Sequence, residues 1–404
     1  MKILFQKTTI LEFAGKHILI IIENLPAPFD RRVWQEATTL KENGAKVSII
    51  CPKMKGYEKP FEIIDGIEIY RHPLREGKGA FGYFIEYSQA IFWEFFLSCM
   101  VYFKNRFHVI HGCNPPDLIF ITAIFFKIFG VKYVFDHHDI NPELYISKFE
   151  KKGIFYRFML LFEKLTFKTA HFSIATNESY KKIAIARGKM KPEKVQVVRS
   201  GPKLDRLKIQ MPISQYKKGK KYLIGYIGVI GEQEGLDLLL DSARYVLEKR
   251  DDVHFAIIGG GTHLEEIKSL AKEMNLDHAF DFYGRVDDET MLNVLNTADI
   301  CVNPDKPTAM NDLSTMNKIM EYMALKKPIV QFTLKEGKFS AQKASLYAKN
   351  TDPIDFGDKI MYLLDHPEVR KEMGEYGYNR VVNELSWDYE SKKLIDIYKK
   401  VFNS

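Results

Sequence analysis

Short apolar runs alternate along this chain with longer amphipathic segments, and that alternation leaves few folds open to it. In the first half the runs are 18–22, 47–51, 109–111, 133–136, 172–175 and 195–198. In the second half they are 222–227, 253–258, 280–283, 300–302 and 329–332. Strand-length runs separated by helical stretches are the pattern of βα units around a parallel sheet. The stretch 30–42 begins at Asp30, a good N-cap, stops before Asn43-Gly44, and puts Val33, Ala37 and Leu40 on one stripe. The stretch 234–249 repeats the design with Leu236, Leu239, Leu240 and Ala243.

With 404 residues, two domains of ~150 or more are expected. The polar, lysine-rich stretch 203–220 reads as a linker. The expected division is therefore residues 1–202, the linker 203–220, a second domain 221–385, and a terminal helix over 386–404. The class is α/β, with two doubly wound domains. In such domains ligands bind at the carboxyl ends of the strands, so the loops there carry the candidate chemistry.

The remaining composition narrows the setting. Cys51, Cys99, Cys113 and Cys301 have no metal or redox spacing, and a core this large needs no disulfides, which suits a reducing cytoplasm. Glu12 and the lysines break the N-terminal apolar stretch, so no signal peptide is expected. The longest apolar candidates, 95–103 and 118–126, fall short of the ~20 residues that cross a bilayer. The net charge of +7 is uneven: residues 1–200 hold 30 Lys+Arg against 20 Asp+Glu, and the rest holds 29 against 32. Within 148–199 the balance is 13 against four. Lys151, Lys152, Arg157, Lys164 and Lys168 alternate there with Phe155, Phe158, Phe162 and Phe167. Part of this is a solvated helix face. An anionic membrane or a phosphate-bearing acceptor explains the rest. The aromatic stretch 83–103, with Phe84, Tyr87, Ile91, Phe95 and Leu97, is either a core helix or a bilayer-surface helix, and Glu86 and Glu94 keep it from spanning. No motif supports nucleic acid.

Five post-strand loops concentrate reactive residue types. After 222–227 comes Gly228-Val229-Ile230-Gly231-Glu232-Gln233-Glu234-Gly235, a turn whose glycines let a phosphate approach a helix start; a plain tight turn is the competing reading. After 300–302 comes Asn311-Asp312-Leu313-Ser314-Thr315-Met316-Asn317-Lys318-Ile319-Met320-Glu321-Tyr322-Met323-Ala324, read as one helix with a polar start. Lys318 and Glu321 share a helix face, and Leu313 to Glu321 would rise ~12 Å. A diphosphate at Lys318 and a ribose at Glu321 fit that span; a surface ion pair is the alternative. Asp136-His137-His138-Asp139 follows 133–136, where imidazoles beside carboxylates could donate to sugar hydroxyls or exchange protons. A metal fits less well, because adjacent histidines diverge and no third ligand is nearby in sequence. Finally, Asp30-Arg31-Arg32 opens a helix where arginines can reach an anion or pair with Glu36 or Asp30, and Arg199 lies in another post-strand loop. There is no Asp-x-Asp triplet, Walker loop or Gly-x-Ser-x-Gly.

In order and spacing these elements resemble the group 1, family 4 retaining glycosyltransferases of GT-B fold. The resemblance rests on Asp30-Arg31-Arg32-Val33-Trp34, His137-His138-Asp139, the Gly228–Gly235 loop, Ile257-Ile258-Gly259-Gly260-Gly261, Phe282-Tyr283-Gly284, Lys318 with Glu321, and Ser386-Trp387. It implies two Rossmann-like domains facing across a cleft, with the last helix crossing back to the first. It further implies an acceptor-side first domain, a sugar-nucleotide-binding second domain, and transfer with retention that needs no metal or other cofactor. Glu321 would hold the ribose. Lys318 and Gly228, Val229 and Gly231 would attend the diphosphate, with Asp312, Ser314, Thr315 and Asn317 beside the donor. His138 rather than His137 would contact the donor sugar. Asp30, Arg31, Arg32, His137, Asp139 and Arg199 would line the acceptor or phosphate side.

Three positions depart from the family. Leu313 stands where a first glutamate is usual, and Val229 and Glu234 stand where an Arg and a Lys are usual. An extra carboxylate near a diphosphate repels it by ~4 kcal/mol at ~4 Å and an effective dielectric of ~20. The expected function is transfer of a hexose from a UDP- or GDP-sugar to a glycan or polyprenyl- or lipid-linked acceptor, in polysaccharide or glycolipid assembly, at the inner face of a membrane. A sugar-nucleotide epimerase or a non-catalytic sugar-nucleotide-binding partner subunit would share the architecture.

Overall fold

The computed structural model describes residues 11–74, 79–149 and 152–404. Residues 1–10, Lys151 and the side chains of Tyr83, Phe84 and Lys148, which the sequence reading drew on, lie outside the described set. The fold divides into two compact units: Met1–Val198 with Ser391–Ser404, and Arg199–Glu390.

The first unit is built on β1 (His17–Ile22), β2 (Lys46–Pro52), β3 (Phe61–Ile64), β4 (Ile67–His72), β5 (Val109–Cys113), β6 (Lys132–His137), β7 (Phe172–Ala175) and β8 (Val195–Val197). They form one sheet in the order β3-β4-β2-β1-β5-β6-β7-β8, parallel except for β3. Every residue of β1 is buried, as expected where helices cover both faces. The chain leaves β1 toward β2 on one side and β5 lies on the other, so the order reverses at β1/β5. That is where the carboxyl ends of a doubly wound sheet make a crevice. The antiparallel β3–β4 hairpin turns at Asp65-Gly66, both with positive φ (49° and 77°), a geometry that suits Asp-Gly. The helix Trp387–Asn403 contributes its end to this unit, where the Tyr398 and Phe402 rings lie 6.1 and 5.5 Å from Phe13.

The second unit holds β9 (Tyr222–Ile227), β10 (Val253–Ile258), β11 (Phe280–Gly284), β12 (Ile300–Asn303), β13 (Ile329–Phe332) and β14 (Ser345–Ala348). Their order is β11-β10-β9-β12-β13-β14, all parallel. The helix Leu236–Leu247 buries Leu236, Leu239, Leu240 and Ala243, the stripe read from its spacing.

Two sequence expectations change. The stretch 203–220 is part of the second unit rather than a free linker. Leu207 is buried, the Gln210 and Ile213 amides donate to Asn296 and Thr297, and Lys217 pairs with Asp299 at 2.8 Å. Few apolar residues are needed when side chains of the helix Asp288–Thr297 satisfy the backbone. The expected helix 311–324 is two helices, Ala309–Leu313 and Asn317–Ala324, separated by an extended Ser314 (φ −95°, ψ 139°). Ser314 Oγ donates to Met310 O at 2.7 Å, a local bond of the kind that competes with helix continuation. Leu313 and Glu321 thus sit on different helices, and a continuous ~12 Å rise between them does not exist.

The helix Gly79–Lys104 has one buried and one exposed face. Ala90, Glu94, Leu97 and Val101 are buried, while Phe92, Phe96, Met100 and Phe103 are exposed. Among the described residues no helix is long and apolar enough to cross a membrane.

Candidate active site

Each unit gathers polar residues at the carboxyl ends of its strands. In the first unit the centre is Asp136, fully buried near the end of β6. Its carboxylate accepts from Arg32 Nη2 at 2.8 Å and Nε at 3.1 Å. His138 Nε2 lies 2.5 Å away and His111 Nε2 3.3 Å. Glu36, one turn after Arg32, pairs with it at 3.0 Å and with His111 at 3.3 Å. On its other nitrogen His111 meets the Tyr398 hydroxyl at 2.7 Å. Arg32 Nη1 donates to Val198 O. Asp30 caps this helix by accepting from Val33 N at 2.9 Å, and Arg31 opens its first turn.

Charge sets the protonation states. Burial alone would lower the His138 pKa, but Asp136 holds it well above the ordinary imidazole value. Burial would raise Asp136, but Arg32 and His138 hold it well below the usual carboxylate range. His137 behaves oppositely: burial pushes its pKa down to about 3. It packs among Phe135, Phe167 and Tyr180 on the opposite side of β6, because successive strand residues face opposite ways. His137 therefore does not join the cluster. Asn114 Oδ1 accepts from the His138 and Asp139 amides at 2.7 and 3.2 Å, fixing the loop after β6.

Two triplets here, His111-Cys113-Asp136 and Glu36-Asp136-His138, have ligand-capable atoms within 4.8 Å of one another. Both need Asp136, whose oxygens already face a guanidinium. A divalent cation there would confront Arg32 directly, so the residues fit a hydrogen-bonded charge cluster better than a metal centre.

In the second unit Lys318 and the loop after β9 meet. Lys318 Nζ pairs with Asp305 at 2.7 Å, lies 3.4 Å from the Tyr226 hydroxyl, and sits 4.9 Å from that ring's centroid. The loop is closely laced to the one after β10: Gly228 N donates to Ile258 O, and Ile230 N to Gly260 O. A Cβ on Gly259, whose φ is 138°, would lie 1.7 Å from Gly228 O, so only glycine fits. Gly231 N donates to Glu234 Oε2 at 3.0 Å. Burial, then Asp305, raises the Glu234 pKa, and burial raises that of Asp305 although Lys318 opposes it. Val229 is exposed at the tip of the loop.

Glu321 lies one turn after Lys318 on the helix Asn317–Ala324 and pairs with Arg206 at 3.1 Å. Arg206 also grips Asp288 through two bonds of 2.6 and 3.1 Å. The other predicted donor residues spread out. Asp312 accepts from Lys335 N, capping the helix Lys335–Ala341, and Ser314 bonds back to Met310. Thr315 lies 3.5 Å from Arg199, whose guanidinium pairs with Glu336 at 3.4 Å and stacks over Phe339 at 4.2 Å. Arg199 belongs to the second unit, whereas the expected division placed it in the first domain, 1–202.

Sequence reasoning left several of these partners without a role. Asp136 stood in the quoted histidine loop, and Glu36 was named only as a competing partner. Arg206 lay inside the expected linker. Asp305 had a usable signal, a carboxylate two residues beyond β12. Nothing local connects His111 to Tyr398, which are 287 positions apart.

Residues 30–206 match the family model described as Glycosyltransferase Family 4, and residues 221–366 match the one described as Glycosyl transferases group 1. An uncharacterized glycosyltransferase of Methanocaldococcus jannaschii is 25% identical over 190 residues, 46% of this chain and 49% of that protein. A GDP-mannose-dependent monoacylated alpha-(1-6)-phosphatidylinositol monomannoside mannosyltransferase of Corynebacterium glutamicum is 26% identical over 168 residues, 41% of this chain and 44% of that protein. The chain thus spans about half the length of these curated relatives. The sucrose-phosphate synthase structure from Thermosynechococcus elongatus is similar with a TM-score of 0.78 at 16% identity, over 96% of this chain and 99% of that one. At that identity the likeness carries the fold.

Proposed function

The chain belongs to the group 1, family 4 glycosyltransferases of GT-B fold, and from that premise we propose that it moves a hexose from a UDP- or GDP-sugar to a hydroxyl of a glycan or lipid-linked acceptor, with retention of anomeric configuration. The setting is cell-surface polysaccharide or glycolipid assembly. The observation that carries this reading is Lys318, held by Asp305 and Tyr226 against the Gly228 loop, with Glu321 one turn away on the same helix.

In the transfer, the bond from the anomeric carbon to the phosphate oxygen breaks and the acceptor oxygen takes its place. The acceptor's hydroxyl proton leaves with the nucleoside diphosphate. Lys318 and the start of the helix Asn317–Ala324 meet the charge that develops on the departing phosphate. This assignment needs no resident metal. Glu321, turned from Arg206, accepts from the ribose hydroxyls. His138, whose pKa is raised by Asp136, donates to a sugar hydroxyl or a phosphate oxygen.

The acceptor is assigned to the lipid side on surface chemistry. Phe92, Phe96 and Phe103 on the helix Gly79–Lys104 are exposed, as are Ile124 and Phe125 on Phe120–Lys127, and Phe155 and Phe158 on Ile154–Thr169. Lys104, Lys127, Lys152 and Arg157 lie on or next to these helices. Apolar side chains among cations suit a peripheral contact with an anionic membrane. The lipid named for the Corynebacterium relative's activity is of that chemistry.

A melting-temperature screen against UDP, GDP and their sugar conjugates tests the donor. One nucleotide at ~100 times its dissociation constant should stabilise the protein by ~2.7 kcal/mol. Glu321→Ala should weaken that nucleotide about tenfold or more by removing charge-assisted ribose bonds. If neither base shifts the melting point, the donor assignment is wrong.

A further inference from the structure

At the edge of the first unit's sheet a cavity of about 580 Å³ opens between the β3–β4 hairpin and the helix Gly79–Lys104. That volume is within the range of small-molecule pockets, about 300–1,000 Å³. Its walls are Pro60, Phe61, Tyr70, Trp93, Leu97 and Met100. The ionisable side chains that line it are basic apart from the Tyr70 phenol: Lys53, Arg71, His72 and Lys104, with no carboxylate among them. Arg71 is neutralised by Glu62 at 2.6 Å. Lys104 lies over the Phe61 ring, 5.3 Å from its centroid, and reaches Glu68 at 3.4 Å. Among the described residues Lys53 has no acidic partner. An apolar well with unbalanced positive charge at its rim matches one ligand chemistry, a hydrocarbon chain ending in an anion.

A second observation gives the direction of entry. Met100 belongs to the wall of the cavity and also to the exposed side of its helix, at 42% exposure, with Phe96 and Phe103 as its neighbours there. The cavity is therefore continuous with the apolar surface assigned above to a membrane. We propose that this cavity takes the chain of an anionic lipid, with its phosphate on Lys53. The lipid is either the acceptor itself or a phospholipid of the bilayer. The choice of lipid rests on the glycosyltransferase reading; the cavity and its charge do not.

Calorimetric titration of the full chain with dodecyl phosphate, below its micellar concentration, tests the site. Saturable binding of one molecule per chain is expected, with inorganic phosphate at least about a hundredfold weaker because it buries no methylenes. Met100→Trp, a substitution at a half-exposed position, fills the well and should weaken dodecyl phosphate about a hundredfold. Lys53→Gln should weaken it about tenfold. Absence of saturable binding, or wild-type affinity in Met100→Trp, overturns the proposal. Two further arms identify the source. If Met100→Trp no longer floats with phosphatidylglycerol vesicles, the occupant is a bilayer lipid. If flotation persists and KM for a prenyl-phosphate-linked acceptor rises, it is the acceptor. Melting-point shifts with UDP or GDP keep the two readings apart. A chain that binds dodecyl phosphate but no nucleotide sinks the transferase reading and leaves the lipid site standing; the converse sinks only the lipid site.

Discussion

Replacing Lys318 with alanine is expected to cut sugar transfer about 10²–10³-fold, the usual loss when one pre-placed donor to a developing anion is removed. The same change strips Asp305 of its partner, and breaking a buried pair commonly destabilises by about 3–5 kcal/mol. Burial already raises the Asp305 pKa, so without Lys318 the carboxyl takes up a proton and softens that loss. Activity and stability therefore need separating. The double variant Lys318→Met with Asp305→Asn removes both charges and should regain most of the melting temperature while transfer stays low. Steady-state kinetics with the donor identified by the nucleotide screen, beside a melting curve for each variant, decides the matter. Wild-type kcat in Lys318→Ala would remove the lysine from the reaction.

The departures from the family pattern look different once these contacts are known. The sequence suggested that Glu234 would repel a diphosphate. In the fold its Oε2 accepts from Gly231 N, and burial with Asp305 nearby raises its pKa. A carboxyl that is more readily protonated holds less charge against an approaching phosphate. With Val229 and Glu234 where the family usually has an Arg and a Lys, Lys318 is a cation at Gly228 itself, through a Cε that a Cβ on Gly228 would meet at 3.4 Å, while Lys306 at the far end of the loop pairs with Asp237.

Much of the architecture was legible because strand periodicity and helix capping are local. Asp30 as N-cap, the 222–227 and 253–258 strands and the Leu236 stripe all followed from neighbours a few positions away. The β3–β4 hairpin was missed although Asp65-Gly66 between alternating apolar residues is a recognised turn signal; β3 is only four residues long and half-exposed. The stretch 203–220 misled because its satisfaction comes from Asn296, Thr297 and Asp299, some 80 positions away. The site divides the same way. Lys318 and Glu321 were found by their spacing on one helix face. The Arg206 clamp on Glu321 and the Tyr398–His111 contact are tertiary, and no local pattern encodes them.

Asp136→Asn is the second variant with a large expected effect, and pH is its signature. In the native protein His138 has a raised pKa, so its contribution to stability is complete below the ordinary imidazole value of about 6.5. That contribution is lost as pH climbs through the raised folded value. Asp136 has a depressed pKa, so its contribution is complete above the ordinary carboxylate value of about 3.9 and is lost as pH falls through the folded value. Between those limits Asp136 holds Arg32 and His138 together. Asparagine keeps the shape but removes the charge, leaving the buried Arg32 paired with Glu36 and without its contact to an ionised Asp136. Stability near neutrality should fall by about 3–5 kcal/mol. Without the carboxylate, burial lowers the affinity of His138 for its proton, so the fraction of imidazolium at neutral pH drops. Transfer should then decline on the alkaline side at a lower pH than in the native enzyme, moving toward or below about 6.5. A rate profile from about pH 5 to 9, at a temperature where the variant stays folded, measures this limb. A midpoint that does not move would mean that the proton on His138 is not the one the reaction uses.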